Sequence, residues 1–102
     1  MHEREVDFRM RLNGAQYLAL PESLRGAVVI GMIDMLELAS MRFTPREKPR
    51  VEKILSYASS LKEVELRWIL DDYLSNAKTS QQYAVASNLI VALAEKIRVG
   101  KI

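Results

Sequence analysis

Apolar and polar residues alternate along the first part of the chain, at residues 6–13. The apolar positions are Val6, Phe8, Met10 and Leu12. A period of two is typical of a strand with one buried face, and the pair Asn13-Gly14 favours a type I′ turn. Folding back about that turn would keep one face of both strands apolar. The pattern therefore predicts a β-hairpin over residues 6–20, with a short amphipathic helix from Glu3 to Leu12 as the alternative.

Helical patterns fill the rest of the chain, separated by proline and capping residues. Pro21 suits the first turn of a helix. Capping-box spacing occurs at Ser60-Leu61-Lys62-Glu63 and again at Thr79-Ser80-Gln81-Gln82. Pro49 lacks a backbone N–H, so we expect only a turn at residues 44–48, before it. We predict four helices, at residues 21–42, 49–59, 60–76 and 79–99.

These elements predict a mainly α fold, in which an N-terminal β-hairpin is followed by a compact bundle of four helices. An all-α fold is the alternative. The chain has 102 residues, a length typical of one domain, so we expect a single domain over residues 1–102. In the last helix, apolar residues recur at spacings of three and four, which is typical of bundle packing. They are Tyr83, Ala86, Ile90, Leu93 and Ile97.

The helix predicted at residues 21–42 is apolar around most of its circumference. Asp34, Glu37 and Ser40 mark its polar side. Such a helix is either central to its fold or buried between two chains. Met32 and Met35 lie close to one side of it, and flexible thioethers suit both adaptable binding surfaces and irregular gaps in a core. We therefore treat these two methionines as candidate partner-binding residues, with core packing as the alternative.

Two apolar strips run along the helix predicted at residues 60–76. The broader strip consists of Leu66, Ile69, Leu70, Tyr73 and Leu74. Leu61, Val64 and Trp68 form a second strip on roughly the opposite side. A helix that packs on one core needs only one strip, and tryptophan is enriched among interface hot spots. Leu61, Val64 and Trp68 are therefore candidate partner-binding residues, with core packing again as the alternative.

The composition restricts the chemistry that the chain can perform. It contains no cysteine and one histidine, His2, which excludes disulfide scaffolds, thiolate zinc sites and a Ser-His-Asp triad. The four glycines form no phosphate-binding motif. Asp71 and Asp72 are adjacent, so on a helix they point about 100° apart and do not converge on one ion. We expect no enzyme activity, no cofactor and no metal.

Charge is distributed unevenly, although the net charge is only +2. The segment 42–53 has a local charge of +3, whereas the segments 22–41 and 62–75 each carry −2. On the hairpin interpretation, Arg9 and Arg11 project from the polar face of a strand. Together with basic residues of the loop they suggest an alternative, nucleic-acid-binding surface. Its candidate residues are Arg9, Arg11, Arg46, Lys48 and Arg50.

These observations favour a small non-enzymatic protein-protein interaction protein: an adaptor, a regulator or an accessory subunit that presents an apolar helical surface. The surplus apolar surfaces favour a homodimer, and the other expected partner is a different protein. A nucleic-acid-binding regulator that uses hairpin and loop arginines is the alternative. We find no targeting sequence and no apolar run of membrane-spanning length. We therefore expect a cytoplasmic protein with no membrane partner and no small-molecule substrate.

Overall fold

The computed structural model describes residues 12–100, and this part of the chain is mainly helical. It contains five α-helices and no strand, so the mainly α fold is confirmed, with five helices rather than the predicted four. The helices are α1 (Gly14–Leu18), α2 (Glu22–Ser40), α3 (Lys48–Ser59), α4 (Glu63–Asn76) and α5 (Val85–Gly100). A short 3₁₀ helix, Lys78–Gln82, lies between α4 and α5.

The second strand of the predicted hairpin is wrong, because residues 14–18 form α1. Asn13 is the N-cap of this helix and does not enter a turn. Its side-chain Oδ1 accepts a hydrogen bond from the Gln16 backbone N–H at 2.8 Å, and the Gln16 Oε1 accepts one from the Asn13 N–H at 2.9 Å. This reciprocal pair satisfies two helix-end donors at once. The predicted first strand, residues 6–11, lies outside the described residues.

A short extended contact joins the start of the described chain to the residues just before α5. The Gly14 N–H donates to the Tyr83 carbonyl at 3.1 Å, and the Val85 N–H donates to the Leu12 carbonyl at 3.0 Å. Between them, Asn13 and Ala84 form an isolated antiparallel bridge. This contact holds residues 83–84 in an extended conformation, so α5 begins at Val85 and not at residue 79, where the capping box predicts it.

The other helix starts also follow from local hydrogen bonds. The helix predicted from residue 60 begins at Glu63, because the Glu65 carboxylate accepts the Lys62 N–H at 2.7 Å and caps the helix there. Before α3, Thr44 and Glu47 form a single turn. The Glu47 N–H donates to Thr44 Oγ1, and the Thr44 N–H donates to the Glu47 carboxylate, both at 3.3 Å.

The core lies where α2, α3, α4 and α5 meet. Helices α2 and α5 each pack against α3 and α4, while α1 covers the 3₁₀ helix and α4. The largest fully buried side chains are Tyr17, Val29, Leu70, Leu74 and Leu93. At Gly14, a Cβ atom would lie 2.6 Å from Leu74 Cδ2 and 3.1 Å from the Gln81 Cα. Helix α1 therefore approaches α4 at a distance that only glycine permits without movement of its neighbours.

A polar cluster joins α2 to α4 beside this core. The Arg25 Nε–H donates to Asp71 Oδ2 at 3.3 Å, and an Arg67 nitrogen lies 3.6 Å from the same oxygen. Arg67 is buried, and its other terminal nitrogen lies 2.8 Å from the Glu22 carboxylate. The Tyr17 hydroxyl and Asp71 Oδ1 are also buried, and neither has a hydrogen-bond partner among residues 12–100.

The buried phenol of Tyr17 makes stability depend on pH in alkaline solution. Burial, and next the Asp71 carboxylate beside it, raise the pKa of Tyr17 far above its ordinary value of 10.0. Above pH ~10 the unfolded chain loses this proton while the folded chain keeps it. The free energy of unfolding should therefore fall by about 1.4 kcal/mol per pH unit from this residue alone.

Tyr17→Phe should remove that part of the pH dependence. Urea unfolding at a series of pH values, from below the ordinary tyrosine pKa to well above it, measures both proteins. We expect the variant to have a shallower decline above pH ~10, by about 1.4 kcal/mol per unit. Below pH ~9 it should differ from the wild type by no more than about 1 kcal/mol, because the lost hydroxyl has no hydrogen-bond partner among residues 12–100. Parallel declines in the two proteins would contradict the assignment.

Candidate functional site

Helix α2 leaves several large apolar side chains exposed. Four of its other apolar residues are partly buried against the core: Val28, Met32, Ile33 and Leu36. Its two buried residues are Gly26 and Val29. On the exposed side, Met35 is 64% exposed, Leu38 is 63% exposed and Met41 is 73% exposed. Because α2 packs on α3 and α4 with one face, the apolar residues on its other sides remain at the surface. Exposed apolar surface of this kind, when it is contiguous, marks binding sites in soluble proteins.

Part of this surface forms a groove between α2 and α5, which we call the methionine groove. It has a volume of about 580 Å³, and every side chain that lines it is apolar. Its lining residues are Val28, Gly31, Met32, Met35, Leu36 and Ala39 of α2 and Ala86, Leu89 and Ile90 of α5. The α2 residues recur at spacings of three and four, so they share one helix face. Polarizable methionine side chains can adjust to differently shaped partners.

The methionine groove continues into two further depressions. One shares Met35 and Ala39 with it and also contains Arg42. The other shares Ile90 and is lined in addition by Phe43, Glu47, Val51 and Ile54, with Arg46 and Arg50. We call Arg42, Arg46 and Arg50 the basic rim. All three are exposed, and none forms an ion pair with another residue of the 12–100 segment. The apolar groove thus has positive charge at one end.

The predicted partner-binding residues fall into two separate places. Met32 and Met35 line the methionine groove. Leu61 lies just before α4, Val64 and Trp68 lie on it, and none of the three is part of the groove. Trp68 is 58% exposed, and the other two side chains are half-buried. We call these three residues the tryptophan strip.

Acidic residues flank the tryptophan strip. Glu65 precedes Trp68 by three residues and Asp72 follows it by four, so both lie one helical turn from the indole. Asp72 is exposed, and Glu65 is half-buried. The strip is therefore an apolar ridge with negative charge on both sides. Of the residues predicted for nucleic-acid binding, Arg46 and Arg50 lie at the basic rim, and Lys48 begins α3. Arg9 and Arg11 lie outside the described residues.

Sequence reasoning missed the contribution of α5 to the groove. Two residues that it assigned to bundle packing, Ala86 and Ile90, line the groove wall together with Leu89, and Ile90 also packs against the core. Gly31 was also missed as a groove residue. A Cβ atom at Gly31 would meet no atom of residues 12–100 within 4 Å, so close packing within this part of the chain does not account for this glycine. Its location in an exposed groove is the only feature that distinguishes it.

Gly31→Ala should stabilise the protein. Glycine in a helix interior is less stable than alanine by about 1 kcal/mol, and here the added methyl group enters open space. We expect the free energy of unfolding, measured with urea, to rise by about that amount. Gly14→Ala is the matched comparison and should lower it, because its methyl group would collide with Leu74. A loss of stability in Gly31→Ala would show that the groove is closed in solution.

Other kinds of site were also sought in this part of the chain. Within residues 12–100, no group of three or more carboxylate, imidazole or thiol side chains is placed to hold a metal ion. Asp71 faces the arginines of the polar cluster, while Asp72 faces solvent, so the two aspartates do not converge. None of the described helices is both long and apolar enough to cross a membrane. No family model matches the chain, and neither the curated proteins nor the solved structures searched gave a match.

Proposed function

We propose that this chain is a non-enzymatic interaction protein that binds a helical segment of a partner protein in its methionine groove. The observation that carries this proposal is the continuous apolar lining of the groove across two helices. Its volume of about 580 Å³ is in the range of binding pockets. Burying the exposed part of Met35 alone on a partner would contribute favourably, because apolar surface leaves water. An adaptor, a regulator or an accessory subunit would use such a surface in the same way.

The lining also indicates the chemistry of the partner. A groove between two helices accepts an amphipathic helix whose anchor side chains are spaced at i, i+3 or i+4, and i+7. Arg42, Arg46 and Arg50 at one end favour a partner helix with acidic residues near its anchors, since complementary charge steers association and fixes orientation. Flexible methionines would allow anchors of different shapes. The expected partner is therefore an acidic amphipathic helix.

A designed peptide tests this proposal directly. The probe is an amphipathic helical peptide with leucine anchors at i, i+4 and i+7 and glutamates beside the last anchor. The readout is the methyl spectrum of the protein labelled with ¹³C at its methionine methyl groups. We expect the signals of Met32 and Met35 to move with peptide concentration and to saturate. A control peptide with lysines in place of the glutamates should bind more weakly, with the difference reduced by salt.

Matched variants separate groove binding from non-specific adsorption. Met35→Asp places a charge in the groove and should abolish the peptide-dependent shift of Met32. Val91→Asp makes the same kind of change at a residue of α5 that is 48% exposed and lies outside the groove, and it should leave binding unchanged. Equal loss of binding in both variants, or no saturable shift with either peptide, would refute the proposed function.

The second candidate function is nucleic-acid binding through the loop arginines. The observation that favours it is the basic rim, whose three exposed arginines lie beside Phe43. Phosphate contacts would make affinity fall steeply with salt. Binding of a short single-stranded or duplex oligonucleotide that weakens with salt, and weakens again in Arg46→Ala, would favour this function. No oligonucleotide binding at low salt would eliminate it.

A further inference from the structure

We propose that the methionine groove of one copy of this chain receives the tryptophan strip of a second copy, and that two such contacts form a symmetric dimer. The inference rests on the proposed function, since it names an occupant for the same groove. The two surfaces lie on different helices, α2 with α5 and α4, so one molecule presents a groove and a ridge at the same time. A second copy therefore carries both complementary parts.

The apolar parts of the two surfaces match. Val64 and Trp68 are four residues apart on α4, an anchor spacing that a helix presents to a groove, and the half-buried Leu61 lies just before this helix. Trp68 is 58% exposed and is the largest anchor among them. Aromatic anchors of this kind supply much of the binding energy at interfaces when a partner pocket covers them. The groove opposite offers only apolar side chains, two of them adaptable methionines.

The charges of the two surfaces are also complementary. Glu65 and Asp72 lie one helical turn before and after Trp68. The basic rim lies at the end of the groove and has no ion pair with another residue between 12 and 100. The two segments that carry these residues also have net charges of opposite sign, −2 over residues 62–75 and +3 over residues 42–53. A groove-to-strip contact therefore brings opposite charges together, whereas a strip-to-strip contact would bring like charges together.

Symmetry determines the form of the assembly. When a two-fold axis relates two copies, the groove of each copy receives the strip of the other, and the result is a closed dimer. Without such an axis, the same contact adds one copy after another into an open chain. Two-fold dimers are the most common closed assemblies of soluble proteins. In the closed dimer, both grooves and both tryptophan strips are covered. In this dimer, all five of the predicted partner-binding residues belong to one interface.

The first test is the solution mass of the wild type and three variants, measured by light scattering over a range of concentrations. We expect the wild type to have twice the 11.7 kDa mass of the chain. Met35→Asp and Trp68→Asp should each halve that mass, and circular dichroism should show that both stay folded, since both side chains are exposed. Val91→Asp, outside both surfaces, should remain a dimer. A dimeric Trp68→Asp, a monomeric wild type or a larger open assembly would overturn the proposal.

Mixing the two monomeric variants distinguishes this dimer from one that pairs two grooves. The Trp68→Asp chain retains an intact groove, and the Met35→Asp chain retains an intact strip, so one native contact can form between them. We expect the mixture to recover a dimer that dissociates more readily than the wild type. A dimer that pairs two grooves would not be disrupted by Trp68→Asp at all. Failure of the mixture to associate would overturn the groove-to-strip contact.

Charge reversal tests the pairing of the basic rim with the acidic flanks. Arg46→Glu and Asp72→Lys should each weaken association at low salt, and the two changes together in one chain should restore it. Restoration is a result that a merely structural effect of either change would not produce. If the double variant associates more weakly than either single variant, these residues do not face each other across the interface. That result would overturn the proposed orientation.

The results also separate this inference from the proposed function. A monomeric wild type whose Met32 and Met35 signals respond to the acidic peptide would refute the dimer and leave the proposed function in place. A monomeric wild type that binds no peptide would refute both. If deletion of residues 1–11 moved the Met32 and Met35 signals of a monomeric protein, the groove would belong to the chain's own N-terminal segment, and the dimer would again be refuted.

Discussion

Leu70→Ala is expected to lower the free energy of unfolding by about 3 kcal/mol, the largest effect of any single change considered for this protein. Leu70 lies in the middle of α4, is completely buried and belongs to the core cluster with Val29, Leu66 and Leu74. Shortening it removes buried apolar surface and leaves a cavity that helices on several sides cannot fill without moving. Urea unfolding, followed by circular dichroism, measures the change.

Leu24→Ala is the matched control for this prediction. It makes the same chemical change at an exposed leucine of α2, and alanine is at least as good a helix former as leucine. The control should therefore stay within about 0.5 kcal/mol of the wild type. Comparable losses in the two variants would mean that α4 does not carry the core in solution. A loss of less than about 1 kcal/mol in Leu70→Ala would contradict the described packing in the same way.

Asp71→Ala is expected to have the second largest effect, a loss of about 2 kcal/mol. Removing one partner of a fully buried ion pair costs about 3–5 kcal/mol. Here the cost is reduced because the Asp71 side chain is partly exposed and both arginines keep another contact. Arg67 remains near the Glu22 carboxylate, and Arg25 still donates to the Leu20 carbonyl at 2.7 Å. The variant tests whether the polar cluster holds α2 against α4.

Asp72→Ala is the control, since it removes the neighbouring aspartate from the exposed side of the same helix. It should change stability by no more than about 0.5 kcal/mol. A second readout concerns Tyr17, whose raised pKa depends partly on the Asp71 carboxylate. Asp71→Ala should therefore lower the pKa of Tyr17 in the folded protein. The loss of stability in alkaline solution should then level off at a lower pH in this variant than in the wild type. Equal losses in the two aspartate variants would refute the role of the cluster.

The sequence predicts the helical character of the fold because hydrophobic periodicity and capping are local properties. The error at residues 13–18 shows the limit of this reasoning. Asn13-Gly14 is compatible with a hairpin turn, but Asn13 and Gln16 also have the spacing of a reciprocal cap. The choice between them depends on a distant part of the chain, because the Gly14 N–H is satisfied by Tyr83 and the Leu12 carbonyl by Val85. No local pattern contains that information.

The candidate site was predictable in part for the same reason. The surplus of apolar residues on α2 and α4 is visible in the sequence, and Met35 and Trp68 are indeed exposed. Which face of α5 completes the groove was not predictable. The buried side of α5 includes a polar residue, Asn88, whose side-chain amide donates to the carbonyls of Ser80, Tyr83 and Ala84. A face predicted from the spacing of apolar residues leaves out an asparagine. The predicted packing face of α5 therefore differs from the observed one.

The contact between residues 12–14 and 83–85 has a consequence for the order in which the chain can fold. It closes a loop of roughly seventy residues. Closing a long loop costs conformational entropy before the contacts at its ends can contribute any favourable free energy. During synthesis, α1 would emerge before α4 and the 3₁₀ helix, on which it packs, and before residues 83–85, to which its start is hydrogen-bonded. Helix α1 would therefore be secured late, after α2, α3 and α4 have had the opportunity to assemble.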